Sequence, residues 1–181
     1  MHRLFAAIRP PKPIRDSLLD LMDDGEPLRW QSDEQLHLTL RFMGEVERPQ
    51  AEDIAAALAA IRFDPFELRL AGTGRFAQRR GGALWAGVAP REPLAHLAAK
   101  IDRACVAAGL EPERRAYHPH ITLARWKGPE PAALHPFLQA QAALASEPWP
   151  VTRFTLYESH LRKDGAHYEA VAEFGADGTL Q

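Results

Sequence analysis

His37-Leu38-Thr39-Leu40 sets an imidazole two residues from a hydroxyl, and the chain repeats the arrangement as His120-Ile121-Thr122-Leu123. In a β-strand successive side chains alternate between faces. Each copy would then bury its two aliphatic residues and present His and Thr together on the other face. Two such strands facing one cleft suit acid/base hydrolysis of a phosphodiester. One imidazole, neutral, takes a proton from water, and the other, protonated, gives one to the departing oxygen. An unperturbed pKa of about 6.5 leaves both forms accessible near neutrality. The threonine hydroxyls can donate hydrogen bonds to non-bridging phosphate oxygens as charge builds there. This chemistry needs no nucleophilic side chain, metal or cofactor.

A lone His-x-Thr in a strand is ordinarily packing. The weight lies in two copies 83 residues apart, each with apolar alternates and each followed by an arginine, Arg41 and Arg125. Arg41 shares the strand parity of His37 and Thr39, so it reads equally as a phosphate ligand reaching the cleft or as a solvated strand-end charge. Arg125 is out of parity with His120 and Thr122 and needs a bulge or a strand end to take part. His118-Pro119-His120 offers a rival, metal-binding reading, since His-x-His puts two ligands on one strand face. No carboxylate or cysteine lies close in sequence to complete that set. His2, His96, His135, His160 and His167 are scattered and read as surface or packing residues.

The elements that must position these residues follow from hydrophobic periodicity. Leu4-Phe5-Ala6-Ala7-Ile8 reads as a buried strand. A helix begins near Pro13, carries Ile14, Leu18, Leu21 and Met22, and is closed by Asp23-Asp24-Gly25. Leu28-Arg29-Trp30 reads as a short strand, and the first motif strand spans Leu36–Met43, stopped by Gly44. Pro49 opens a second helix bearing Ile54, Leu58 and Ile61. Phe66–Leu70 alternates as a half-buried strand, and Gly72-Thr73-Gly74-Arg75-Phe76 continues or turns it. The latter is no dinucleotide loop, because it lacks a third glycine in register and a following helix. Arg79-Arg80-Gly81-Gly82 forms a hairpin turn into a strand over Ala83–Val88. Pro90–Ala108 is the strongest helix, with a stripe of Leu94, Leu97, Ala98, Ile101 and Cys105, and Gly109 as its stop. The second motif strand spans His118–Trp126. A helix over Pro131–Leu144, interrupted or delayed by Pro136, and strands Val151–Leu161 and His167–Phe174 complete the chain.

Strand, helix and motif strand thus occur twice. Mixed helices and hairpins favour an α+β fold with largely antiparallel sheets. The duplication points to one domain over 1–181 of two lobes, each a mainly antiparallel sheet with flanking helices. A pseudo-twofold would relate them, with the active cleft between. The 181 residues carry 46% hydrophobic and 25% charged residues and a formal net charge of -2, which argues against a general nucleic-acid coat but not against a local basic cleft. The single cysteine, Cys105, excludes an intrachain disulfide and fits a reducing cytoplasm, and it reads as a core filler. The N-terminus has no signal-peptide pattern, and no run approaches the ~18 apolar residues of a membrane span. A monomer without an obligate protein partner is expected.

The chain resembles the two-histidine phosphoesterases, in particular the RNA 2′,3′-cyclic phosphodiesterases also called 2′-5′ RNA ligases. The resemblance covers nearly the whole chain. It rests on Arg3-Leu4-Phe5-Ala6-Ala7, Trp30, the stretch from His37 to Val46, Gly74-Arg75-Phe76, Leu84-Trp85-Ala86-Gly87-Val88, His118 to Arg125, and Leu156-Tyr157-Glu158-Ser159. Where family members often carry Phe before the Pro-His of the second motif, this chain has His118. The resemblance implies a bilobal fold, no metal, RNA ending in a 2′,3′-cyclic phosphate as substrate, and a 2′-phosphomonoester as product. Reversible 2′-5′ ligation is the companion activity. Carried over, His37 is the proton donor and His120 the acceptor, while Thr39, Thr122, Arg41 and Arg125 hold phosphate. Arg75, Arg79 and Arg80 read mainly as a solvated turn, with flanking of the RNA strand as the functional alternative. Trp30 and Phe76 read as core, with base stacking as theirs. Two rival functions share the motif: a cyclic phosphodiesterase for a small nucleotide-derived substrate, and a non-catalytic binder of RNA ends.

Overall fold

In a computed structural model, which describes residues 1–23, 27–163 and 165–180, the chain is α+β. Nine strands and four helices are formed among these residues. The strands are β1 His2–Ile8, β2 Arg29–Trp30, β3 Leu38–Val46, β4 Phe66–Gln78, β5 Gly81–Ala89, β6 His120–Lys127, β7 Trp149–Val151, β8 Arg153–Arg162 and β9 Gly165–Gly175. The helices are α1 Lys12–Leu19, α2 Arg48–Ala59, α3 Glu92–Ala107 and α4 Leu134–Ala140.

The strand order is β7-β4-β5-β6-β3-β1-β8-β9, with β2 added on β6, and every pairing is antiparallel. The two expected sheets are therefore joined edge to edge. The seam between β3 and β6 is a single register pair, Leu38 opposite Ile121. In both halves the motif strand lies at the seam and pairs with the strand that precedes its helix, β1 beside β3 and β5 beside β6.

The apolar stripe of α3 is buried as its spacing predicts, and the helix lies against β3 and α2. Leu38, Leu40, Ile121 and Leu123 point into that same core at 4% exposure or less. Burying a Leu- or Ile-sized side chain contributes about 1.5–3 kcal/mol, so the aliphatic half of each motif anchors the strand that carries the imidazole.

Four boundaries differ from expectation. Helix α1 stops at Leu19, short of Leu21 and Met22, and the expected stop at Asp24 and Gly25 lies outside the described residues. Strand β3 runs through Gly44, which adopts φ +77 next to a register shift against β1, a backbone that glycine tolerates without cost. The last helix is shortened to Leu134–Ala140, and Pro136 sits in its first turn, where a missing N–H is harmless. The expected strand Val151–Leu161 divides at Thr152. Its start pairs with β4 and its remainder with β1, so the chain crosses there from one half to the other.

Candidate active site

Bulges in the two motif strands decide which side chains reach the cleft. Against β1, Ala7 faces Thr39 and Ala6 faces Arg41, so Leu40 is an extra residue; Phe5 then faces Phe42. Against β5, Trp85 faces Thr122 and Leu84 faces Ala124, so Leu123 is an extra residue. One inserted residue sends everything beyond it to the opposite face. In β6 the bulge brings Arg125 onto the face of His120 and Thr122. In β3 it turns Arg41 to the helix side and leaves Phe42 beside His37 and Thr39. Simple alternation predicts the reverse for the two arginines.

A cavity of about 450 Å³ collects the result. His37, Thr39, His120, Thr122 and Arg125 line it together, with Phe42, Phe5, Gln31 and Tyr168. No carboxylate is in its lining, whereas Arg3 and Arg125 are. The volume suits a nucleotide-sized ligand, and the charge balance suits an anion.

Both imidazoles are held by the same device. His37 Nδ1 lies 2.7 Å from the carbonyl oxygen of Gln35, and His120 Nδ1 lies 2.7 Å from that of His118. A carbonyl can only accept, so Nδ1 carries the proton in both rings, and Nε2 is left for chemistry. The Gln35 carbonyl is itself fixed. Gln35 closes a capping box with Ser32 around the short turn Asp33–Gln35, and its side-chain Nε2 donates to Ala166 O of β9. Phe5 and Tyr168 pack on the His37 ring at centroid distances of 5.0 and 5.1 Å. Phe76 meets His120 edge-on at 4.9 Å. Behind Phe76, any side chain at Gly74 would collide with the Trp85 indole, so glycine lets that wall close up.

Burial pulls the His37 pKa down to about 4, with Arg125 and His120 adding repulsion, against the Gln35 hydrogen bond, which raises it. His120 is lowered as well, again mainly by burial, with His118 and Arg125 contributing. Burial therefore disfavours the imidazolium form of both rings in the free protein. Burial pushes the Tyr168 phenol up, so it stays a neutral hydrogen-bonding group.

Arg41 does not line the 450 Å³ cavity but a neighbouring pocket of about 810 Å³ that shares Thr39, Phe42 and His120 with it, and its guanidinium, with a side-chain exposure of 9%, faces α3. Nε is 2.8 Å from Asp102 Oδ1, Nη1 is 3.4 Å from Glu113 Oε2, and Nη2 donates to Glu111 O at 2.6 Å. It ties β3 to α3 and to the segment after it. We expect Arg41→Ala to cost about 1–3 kcal/mol of stability, because two part-buried carboxylates lose their partner. A lowered Tm with kcat/KM near wild type checks this.

Trp30 is a packing residue that meets Phe137 at 5.5 Å and donates from Nε1 to Asp23. Phe76 borders the site and is half-buried. His118 lies beside His120, with ring centroids 6.1 Å apart. Among the described residues no three His, Cys, Asp or Glu side chains converge as a metal-holding group. Cys105 is fully buried, and burial pushes its thiol up to about 11, which leaves it inert. Arg75 is paired with Glu130. Gln35, Phe42 and Tyr168 were missed. A Phe two places beyond Leu40 carried no signal without the bulge, and Gln35 acts through a main-chain carbonyl that any residue possesses.

Two imidazoles, two hydroxyls and an arginine thus line one cavity on paired strands of an α+β fold. The chain belongs to the 2′-5′ RNA ligase superfamily, whose family profile matches residues 10–163. It is 34% identical over 166 residues to the RNA 2′,3′-cyclic phosphodiesterase of Aeropyrum pernix, covering 90% of this chain and 93% of that one. It is 33% identical to the protein of the same name from Thermus thermophilus, over 97% and 91% of the two chains. Among solved structures, Escherichia coli LigT complexed with 3′-AMP superposes with a TM-score of 0.79 at 27% identity, covering 96% of this chain and 97% of that one. A crystal structure described as a phosphoesterase superposes at 0.81, also at 27% identity. No helix among the described residues is long and apolar enough to cross a membrane.

Proposed function

We propose that this protein opens 2′,3′-cyclic phosphate ends of RNA to 2′-phosphomonoesters, with His37 as proton donor and His120 as acceptor. Two imidazoles lining one carboxylate-free cavity, each with Nδ1 tied to a main-chain carbonyl, carry this reading. In the step, His120 Nε2 takes a proton from water as the water oxygen bonds to phosphorus. The P–O3′ bond breaks, and His37 Nε2–H protonates the departing 3′ oxygen. Thr39 and Thr122 hydroxyls and the Arg125 guanidinium hold the non-bridging oxygens as their charge grows. A 5′-hydroxyl in place of water gives a 2′-5′ linkage, and the reverse of that step exchanges the two histidine roles.

The local symmetry supports the exchange. Two copies of one tripeptide, paired antiparallel at their middle residues Leu38 and Ile121, are related by a twofold through that pair. We extend this to a pseudo-twofold between the halves, with the cleft at the seam. Both histidines come from one chain, so a monomer suffices. The single cysteine, Cys105, allows no intrachain disulfide, which supports a cytoplasmic setting for the reaction.

The pH profile tests the reading. Free enzyme must carry one protonated and one neutral imidazole, and burial lowers both pKa values. As pH rises through the lowered imidazole pKa values the protonated donor is depleted, so kcat/KM falls, with an alkaline limb that starts below the usual ~6.5 of imidazole. A bound phosphodiester anion favours the imidazolium, which moves the corresponding limb of kcat to higher pH. Measuring both profiles on one cyclic-phosphate substrate checks this, and a kcat/KM limb at or above that of free imidazole would contradict it.

A further inference from the structure

A second pocket, about 380 Å³, adjoins the histidine cavity and shares Arg125 with it. Arg29, Arg80, Arg125 and Lys127 line it, and no carboxylate does. The placement follows from register. Arg29 on β2 lies directly across from Arg125 on β6, and Lys127 follows Arg125 two residues along the same face. Arg80 enters from the β4–β5 turn. Like charges in directly opposed strand positions are destabilising. All four side chains are exposed, and none is in an ion pair among the described residues. Arg9, Arg15, Arg41, Arg75 and Arg153 each have a carboxylate partner. With 24 acidic residues against 22 basic ones, a scarcity of acids does not explain the gap.

From Thr122 through Arg125 to Lys127 the cleft face of β6 therefore runs from the reacting centre into an uncompensated cationic strip. Phe76 walls the pocket and also meets His120 edge-on. Guanidinium groups hold phosphate bidentately, and clustered cations bind a nucleic-acid backbone without reading its sequence.

We propose that this pocket holds an internal backbone phosphate of the RNA, next to the terminal nucleotide whose cyclic phosphate occupies the histidine cavity. The inference rests on the function proposed above. It makes the preferred substrate an oligonucleotide, recognised by its backbone, over a free nucleoside 2′,3′-cyclic phosphate.

The test compares kcat/KM on a nucleoside 2′,3′-cyclic phosphate and on a short oligoribonucleotide ending in the same group. Wild type, Arg80→Ala/Lys127→Ala and the charge-keeping Arg80→Lys/Lys127→Arg are assayed. The oligonucleotide-to-nucleotide ratio is expected to exceed one in wild type, to fall about tenfold in the alanine pair through KM, and to recover in the charge-keeping pair. A second arm needs no turnover. Binding of an oligoribonucleotide ending in a 2′-phosphate, followed by fluorescence anisotropy against salt, is expected to lose about 1–2 from its log–log slope in the alanine pair. A wild-type ratio and slope in the alanine pair overturn the second phosphate site. Turnover that survives His37→Ala overturns the reading of the histidine cavity instead, and leaves the binding arm to decide on the strip.

Discussion

His37→Ala and His120→Ala are each expected to lower kcat on a cyclic-phosphate-ended RNA by about 10²–10⁴, the usual contribution of one positioned acid or base. That range corresponds to about 3–5 kcal/mol of transition-state stabilisation. KM should change far less, because the threonines and Arg125 still hold the phosphate. The double variant should lose little more than the worse single one, since donor and acceptor serve one proton-transfer sequence and their effects do not add. Neither substitution removes the anchors of its strand: Leu38, Leu40, Ile121 and Leu123 remain in the core, so circular dichroism and Tm should stay close to wild type. Single-turnover kinetics with product analysis decides the matter. Full activity in either variant would remove that ring from the reaction, and product carrying a 3′-phosphate would reverse which P–O bond breaks.

The site was half legible in the sequence, for a physical reason. Alternation in a strand is a local rule, and it places His and Thr of each motif correctly because they lie within two residues of the seam pair Leu38–Ile121. Past Leu40 and Leu123 the rule fails, since a bulge depends on how the partner strand registers, which is information in β1 and β5 and not in the motif itself. The same limit hid Phe42 and the cationic pairing of Arg29 with Arg125, both products of register. Helix α3 was legible because its stripe answers to one period along one element. The split of β7 from β8 was not, because the sequence over Trp149–Arg162 favours strand on both sides of Thr152 and only tertiary pairing tells the two apart.

The two arginines provide the sharpest test of that account. Arg125→Ala is expected to lower kcat/KM by about 10²–10³, the cost of removing one preorganised donor from developing oxyanion charge. Arg125→Lys should restore only part of it, because an ammonium keeps the charge and loses the planar fork. Arg125→Ala carries a second signature. Its positive charge opposes protonation of both His37 and His120, so both rings should titrate at higher pH in the variant, as histidine NMR titrations would show. Arg41→Ala should do neither, since that guanidinium is committed to Asp102, Glu113 and Glu111. Plain alternation predicts the opposite ranking. Loss of turnover in Arg41→Ala with Arg125→Ala near wild type would mean that the bulges at Leu40 and Leu123 do not persist in the working enzyme. The expected ranking would mean that two inserted residues, and not the arginines' positions in the motif, determine which cation meets the phosphate.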